Sequence, residues 1–260
     1  MYLALSIAAS GLRNQQARID TIADNVANVN TVAFKNSRLD FKDALYTTGH
    51  TPGPARTPAP AGNQQKGHGL MIAGIGRDFR TGNFERTERP LDFALENEGF
   101  FSLLDADGEI VYTRSGSFHL SVEDDGTYLV NGEGLYVLDD NGERIMIPFG
   151  VNTINVGVDG TMEFRIGDEV VGGARLGVFT FRNLTGLASA GFSNYTHTAA
   201  AGERRPAENV VVRQGILEGS NVNMSEEMTR LIRTQRAFQL ASRALRTADD
   251  MEGIANNMKR

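Results

Sequence analysis

The side chains that most often carry out chemistry are few and scattered in this sequence. The four histidines lie far apart, with no two at the spacing that zinc ligands usually show, and the chain has no cysteine to act as a thiolate ligand or nucleophile. The segment Asp105–Glu109 begins like a calcium-binding loop, but the closing glutamate is absent because residue 116 is glycine. We therefore expect no metal site.

Nucleotide and acid–base sites are also missing from the pattern. A phosphate-binding loop needs Gly-Lys, which does not occur, and the glycine-rich stretch 67–76 has Ile72 where a dinucleotide fingerprint needs glycine. The acidic pairs Asp124-Asp125 and Asp139-Asp140 stand beside glycine in predicted turns, where carboxylates stay solvated. The sequence predicts a protein that is not an enzyme and uses no cofactor or small-molecule substrate.

Composition and charge narrow the possible partners. The 260 residues are 40% hydrophobic, which is enough for a sizeable core. The formal net charge of the chain is −6. Residues 1–35 carry +1 and residues 224–260 carry +2, so the residues between them carry −9. An acidic middle argues against nucleic acid as a partner. We expect no membrane span, and no cleavable signal because no basic residue precedes Arg13.

The first segment has the periodicity of a helix with a self-packing seam. Apolar residues recur every seven positions, other apolar residues fill places between them, and two asparagines mark the helix end. The candidate assembly residues of this segment are Leu5, Leu12, Ile19, Ile22, Asn25, Val26, Asn28 and Val29.

The last segment predicts a longer helix. Asn223 with Glu226 three residues later has the spacing of a capping box. The helix that follows is about 35 residues or about 50 Å long, and it has apolar or small residues on more than one face. Its candidate assembly residues are Met224, Leu231, Phe238, Ala241, Leu245 and Met251.

Between the two predicted helices, the residue pattern is typical of β structure. Four prolines between Gly49 and Gly69 predict an extended arm or linker. Beyond it, strand-like runs such as Gly99–Leu104 and Leu176–Phe181 alternate with Asp-Gly and Asn-Gly turn pairs, which indicates antiparallel hairpins in a sandwich or irregular barrel.

The predicted fold class is α+β. We expect long N- and C-terminal α-helices that pair as a coiled-coil-like element, and a β-rich antiparallel middle domain. The expected domains are 1–35 plus 224–260 for assembly, 36–80 as the Pro/Gly-rich arm, and 81–223 as the β-rich domain. From periodicity alone, the two seams fit equally well a helical hairpin that completes a monomer.

Four ordered blocks resemble the bacterial flagellar basal-body rod protein family. They are Ala23–Lys35, Arg89–Phe101, Tyr112–Phe118 and Gly215–Asn223 with the helix start that follows, so the resemblance covers nearly the whole chain. The chain is more similar to the distal rod type than to the closely related proximal rod type. One departure is Ala33, where the family usually has glycine.

The resemblance implies a structural axial subunit that polymerises helically into the hollow drive shaft of the flagellum and transmits torque from motor to hook. It also implies neighbouring rod and hook proteins as partners, and export across the cytoplasmic membrane by the flagellar export apparatus. Two alternatives stay open. One is a hook-type or hook–basal-body axial protein, and the other is a secreted oligomeric β-domain binding module.

Overall fold

The computed structural model describes residues 2–44, 46–49, 64–67 and 69–258. These divide into two compact units. Unit 1 comprises the described residues of 1–27, 37–76 and 223–260. Unit 2 comprises residues 28–36 and 77–222.

Unit 1 contains both long helices and two small two-stranded sheets. β1 is hydrogen-bonded to β4, and β2 pairs with β3 in an antiparallel register that sets Tyr46 opposite Gly67. The prolines of the predicted arm lie outside the described residues. The elements are α1 (Tyr2–Ala27), β1 (Ser37–Asp43), β2 (Tyr46–Gly49), β3 (Gln64–Gly67), β4 (Leu70–Arg77, its last residue in unit 2) and α2 (Met224–Asn257).

The prediction that the terminal helices pair as a coiled coil is wrong. α1 and α2 do contact each other, but the most buried positions of α2 are the polar residues Glu227 and Thr234. The α1 residues Asn14 and Asn25 are buried as well, and each donates a hydrogen bond to a β strand of the unit. A coiled coil needs apolar side chains at these inward positions. The apolar residues that recur every seven positions therefore do not form a coiled-coil interface between α1 and α2.

Unit 2 contains the antiparallel β-rich middle, which confirms that part of the predicted α+β class. Two short 3-10 helices, Leu184–Gly186 and Ala199–Ala201, interrupt the strands. The strands are β5 (Phe84–Arg86), β6 (Phe93–Leu95), β7 (Phe100–Leu104), β8 (Ile110–Thr113), β9 (Phe118–Glu123), β10 (Gly126–Asn131), β11 (Tyr136–Val137), β12 (Met146–Ile147), β13 (Thr153–Val156), β14 (Thr161–Ile166), β15 (Glu169–Arg175), β16 (Val178–Phe181), β17 (Ala188–Gly191), β18 (Asn194–Thr196), β19 (Arg204–Pro206), β20 (Val212–Gln214) and β21 (Ile216–Glu218).

One ten-stranded sheet dominates unit 2. Its path runs β12-β10-β11-β7-β8-β18-β17, with β9 paired to β10, and β16 joining β7 to β19. A three-stranded sheet, β13-β14-β15, and the pairs β20-β6 and β21-β5 complete the described strands of the unit. Turns at Gly108, Gly142 and Gly160 have φ between 80° and 86°, the left-handed conformation that the Asp-Gly and Asn-Gly pairs predict.

Two hydrophobic clusters form the core of unit 2. The larger contains Phe93, Leu103, Phe118 and Leu129, all fully buried. The smaller is mainly aromatic, and within it Tyr112 and Phe181 meet edge to face with their ring centroids 4.8 Å apart. Burial of these aliphatic and aromatic side chains stabilises a chain that has no cysteine and hence no disulfide. Among the described residues, no helix is long and apolar enough to span a membrane.

Candidate assembly site

The candidate assembly residues of α1 differ in how far their own chain buries them. Ile22 is buried, whereas Leu12, Ile19 and Val26 are only half-buried. Leu5 lies in the first turns of α1. The half-buried residues leave part of their apolar surface available to another chain.

The two candidate asparagines occupy different environments. Asn25 is buried, its amide donates to the Ser37 carbonyl at 2.9 Å, and its carbonyl oxygen accepts the Ser37 N–H at 2.9 Å. The Asn25 side chain therefore pairs with both backbone groups of Ser37 in β1, as a residue of a neighbouring strand would. Asn28 and Val29 follow the end of α1, belong to unit 2 and are half-buried. The predicted role of these residues between subunits stays a prediction.

α2 begins where the capping signal predicts. The side-chain oxygen of Asn223 accepts N–H groups from Ser225 and Glu226, which confirms Asn223 as the helix cap. Glu227 is buried in the first turn, where its negative charge suits the helix dipole, and it accepts a 2.6 Å bond from Arg230.

Apolar residues of α2 are exposed along much of its length. The candidates Leu231, Phe238, Ala241 and Leu245 are half-buried. Met224 is 43% exposed and Met251 is 60% exposed. Ile232 and Leu240 are absent from the predicted set, yet 52% and 65% of their surfaces are exposed. A helix that shows apolar side chains on its open face has the surface expected of an interface.

A buried charge cluster in unit 2 joins residues that are far apart in sequence. Glu218 lies at its centre with a fully buried side chain. One carboxylate oxygen accepts Lys35 Nζ at 2.5 Å and the Gly82 N–H at 2.9 Å, and the other accepts Arg114 Nε at 2.7 Å. Glu218 is therefore saturated on both oxygens, as a buried carboxylate needs to be.

The two cations of this cluster also donate to backbone carbonyls. Lys35 donates to the Arg80 carbonyl at 2.8 Å. Arg114 donates to the carbonyls of Leu95 and Gly99 at 3.1 and 2.9 Å, and its guanidinium carbon lies 6.0 Å from the centroid of the Phe100 ring. Arg114 also donates to the Asn97 carbonyl at 3.2 Å, so one side chain fixes the segment that leads from the end of β6 to the start of β7.

Burial lowers the pKa of Lys35 below its ordinary value of 10.5, because moving an ammonium group out of water disfavours its charge. Glu218 opposes this shift, and the positive charge of Arg114 adds to it. The cluster holds two cations and one anion, so a single carboxylate has to neutralise both.

The backbone and Asn221 tie the same region together. The Ala33 N–H donates to the Glu218 carbonyl at 2.8 Å. The Asn221 side chain accepts the Asn36 N–H at 2.7 Å and donates to the carbonyls of Asp78 and Arg80. Residues 33–36 are thus fixed to the segment 218–221 by main-chain and side-chain bonds.

The amino-acid sequence is similar to those of known protein families and of individual proteins. Three family models match: flagella basal body rod protein over residues 5–35, the flagellar hook protein FlgE/F/G D1 domain over 94–164, and flagellar basal body rod FlgEFG protein C-terminal over 213–258. The chain is 39% identical to the flagellar basal-body rod protein FlgG of Borreliella burgdorferi over 272 residues, which cover 100% of both chains. The FlgG of Bacillus subtilis is 34% identical, again over 100% of both.

The chain belongs to the flagellar basal-body rod protein family. It is a FlgG-type structural subunit of the rod, located in the flagellar basal body, and both the family and the preference for the distal over the proximal type are confirmed. Membership implies assembly with other rod and hook components. The chain is also 30% identical to the flagellar hook-basal body complex protein FlhP of Bacillus subtilis over 100% of both chains.

The buried cluster draws on all four blocks that carry the family resemblance. Lys35 ends the first block, Gly99 lies in the second, Arg114 in the third and Glu218 in the fourth. Reasoning from the sequence assigned no role to these charges, because Arg114 and Lys35 are 104 and 183 positions from Glu218. The usable signal was the family resemblance itself, since Lys35, Arg114 and Glu218 each lie in a different one of its blocks. In this rod-family chain, the blocks meet in one site that fixes the fold of unit 2.

Proposed function

We propose that copies of this chain polymerise helically into the hollow rod, with residues of α1 and α2 making the contacts between subunits. The subunit acts mechanically, without catalysis or a cofactor, and it reaches the rod through the flagellar export apparatus. Torque transmission fits a unit 2 in which the buried Lys35, Arg114 and Glu218 bind one another, because close-packed interiors with bonded polar groups deform little under load.

The observation that carries this proposal is the exposed apolar surface of α2. Leu240 is 65% exposed and Ile232 is 52% exposed, whereas the buried residues of α2 are the polar Glu227 and Thr234. Covering such side chains is favourable by about 25 cal/mol for each Å² of apolar surface. In a rod, neighbouring copies of the subunit would cover these apolar side chains of α2.

A pair of substitutions on α2 tests the proposal. Leu240→Asp puts a charge on the exposed apolar surface, and Gln239→Asp puts the same charge on the adjacent, also exposed, residue. In the full chain, we expect Leu240→Asp to raise the concentration needed for polymerisation by about tenfold or more. Gln239→Asp should have a much smaller effect, and the monomer's melting temperature should be similar in both variants.

Sedimentation and electron microscopy of the full chain provide the readout. Equal polymerisation by both variants and the wild type would contradict a contact through this face of α2. Basal bodies purified from cells that make a tagged chain test the location of the polymer, since the tag should decorate the rod and be absent from the hook.

A further inference from the structure

The dipeptide Asn-Gly occurs twice in the chain, as Asn131-Gly132 and as Asn141-Gly142. Both pairs lie in unit 2, the first where β10 turns into β11 and the second between β11 and β12. Asparagine and glycine suit such turns because both tolerate positive φ. Asn-Gly is also the dipeptide in which the backbone most readily attacks the asparagine side chain, because glycine has no Cβ to block the approach.

This attack is a deamidation. The backbone nitrogen of the glycine bonds to the side-chain carbonyl carbon (Cγ) of the asparagine, and the side-chain amide leaves as ammonia with the proton that the glycine nitrogen gives up. The succinimide ring that remains is then opened by water. Opening at the side-chain carbonyl gives aspartate, and opening at the backbone carbonyl gives isoaspartate, whose main chain is longer by one carbon. The reaction needs no oxidant or reductant.

The side chain of Asn131 is held firmly by its own turn. Its carbonyl oxygen accepts the N–H groups of Glu133 at 3.0 Å and of Leu135 at 2.9 Å. The backbone of Asn131 belongs to β10, where it lies opposite Phe118 of β9. The side chain has to turn before the Gly132 nitrogen can reach Cγ, and turning breaks both bonds to its oxygen.

The side chain of Asn141 is held less firmly. It is exposed, and within the described residues it makes a single hydrogen bond, from its amide to the Asp139 carboxylate at 3.2 Å. The Gly142 N–H, which has to lose its proton, donates to the Asp139 carbonyl at 3.2 Å. A Cβ built on Gly142 would meet no atom within 4 Å, so the space beside the reacting pair is open.

We propose that Asn141 is a site of spontaneous deamidation in the folded chain, and that the turn around Asn131 protects that residue from the same reaction. A bonded group reacts only from locally opened states, and each hydrogen bond that has to break makes those states rarer. The only co-reactant is water, so the modification is independent of the proposed polymerisation.

Deamidation changes both the charge and the length of the turn between β11 and β12. The Asp139 carboxylate accepts the N–H groups of Asn141 and Glu143 at 2.9 and 2.7 Å. A carboxylate at residue 141 would replace the amide donor to Asp139 by a like charge. The neighbouring Asp140 N–H donates to the carbonyl of Arg175, the last residue of β15. The modified turn is therefore one that joins the ten-stranded sheet to the three-stranded sheet.

Mass spectrometry of the full chain tests the proposal. The folded wild type is kept at mildly alkaline pH, where the glycine nitrogen loses its proton more readily, and samples are digested with a protease that cleaves after glutamate. The peptides 124–133 and 134–143 then carry one asparagine each. We expect residue 141 to deamidate about tenfold faster than residue 131, with isoaspartate among its products.

Two controls separate the fold from the dipeptide. In concentrated urea at the same pH no fold restrains either pair, so we expect residues 131 and 141 to deamidate at similar rates. Asn141→Gln should abolish the reaction at residue 141, because the longer side chain closes its ring much more slowly, and it should leave the rate at Asn131 unchanged.

Two outcomes in the folded chain would overturn the proposal. Equal rates, or a faster reaction at Asn131, would show that the bonds to the Asn131 oxygen give no protection. An Asn141 that stays intact when folded but reacts in urea would show that the bond from the Gly142 N–H to Asp139 is sufficient to prevent the attack.

Discussion

The two units of this rod subunit treat polar and apolar side chains in opposite ways. Unit 2 has an aromatic core cluster, and its buried Lys35 and Arg114 both bind the carboxylate of Glu218. Unit 1 buries Asn25 and Thr234 and exposes Leu240. The difference teaches that the charged cluster of unit 2 is completed by its own chain, whereas α2 leaves apolar side chains exposed. Substitutions in the cluster should therefore change folding, and substitutions of exposed apolar residues on α2 should change assembly.

The largest expected effect is on the buried cluster. Glu218→Gln keeps the shape of the side chain but removes the only carboxylate that Lys35 and Arg114 share. Two buried cations then lack a counter-charge, and we expect the free energy of unfolding to fall by about 3–5 kcal/mol. Urea denaturation of the full chain measures this change.

An exposed ion pair provides the matched control for Glu218. Glu96 pairs with Arg213 at 2.9 Å on the surface of the same unit. Glu96→Gln should change stability little, because water and salt screen an exposed pair. If the two variants were equally stable, the buried cluster would not be what holds unit 2 together.

Asn25 tests the polar interior of unit 1. Asn25→Ala removes both bonds to Ser37 and leaves the Ser37 N–H and C=O without these partners. We expect a loss of about 1–3 kcal/mol in the free energy of unfolding. Hydrogen exchange at the Ser37 amide should become faster in the variant. Unchanged exchange would mean that the pairing of α1 with β1 does not depend on Asn25.

Local signals in the sequence were sufficient for much of this fold. The Asn223 cap set the start of α2, and the Asp-Gly pairs placed the hairpin turns, because both act within a few residues. The prediction of a coiled coil was wrong because it depends on contacts between residues that are far apart in sequence. Heptad spacing records which residues are apolar, but it does not show that Glu227 is buried among other elements. The Glu218 cluster was missed for the same cause, since long-range partners leave no local pattern.

The pH dependence of stability offers a finer test of the cluster. Burial lowers the pKa of Lys35 below 10.5 in the folded chain, so between the lowered pKa and 10.5 the unfolded chain binds more protons than the folded one. In that window the contribution of Lys35 makes the free energy of unfolding rise with pH. Below the window the lysine is charged in both states and the burial cost is fully present.

Lys35→Met isolates this contribution. We expect the wild type to gain stability relative to the variant as the pH rises from the lowered pKa towards 10.5, and the difference to be flat below that window. Lys42→Met, at an exposed residue of β1, serves as the control for the loss of one lysine charge. A difference that falls with rising pH would mean that Glu218 raises the lysine pKa more than burial lowers it.

The smallest effect concerns Ala33, where the resemblance to the rod family leads us to expect glycine. Ala33 has φ of 55° and is fully buried, so its methyl group strains a left-handed backbone. Ala33→Gly removes that strain of about 1–2 kcal/mol but frees the unfolded chain by about 0.4–1 kcal/mol. We expect a net gain of roughly 0.5 kcal/mol, seen as a small shift in the urea midpoint. A loss of stability would instead show that the packing of the Ala33 methyl group outweighs the strain, and that the departure from glycine favours this fold.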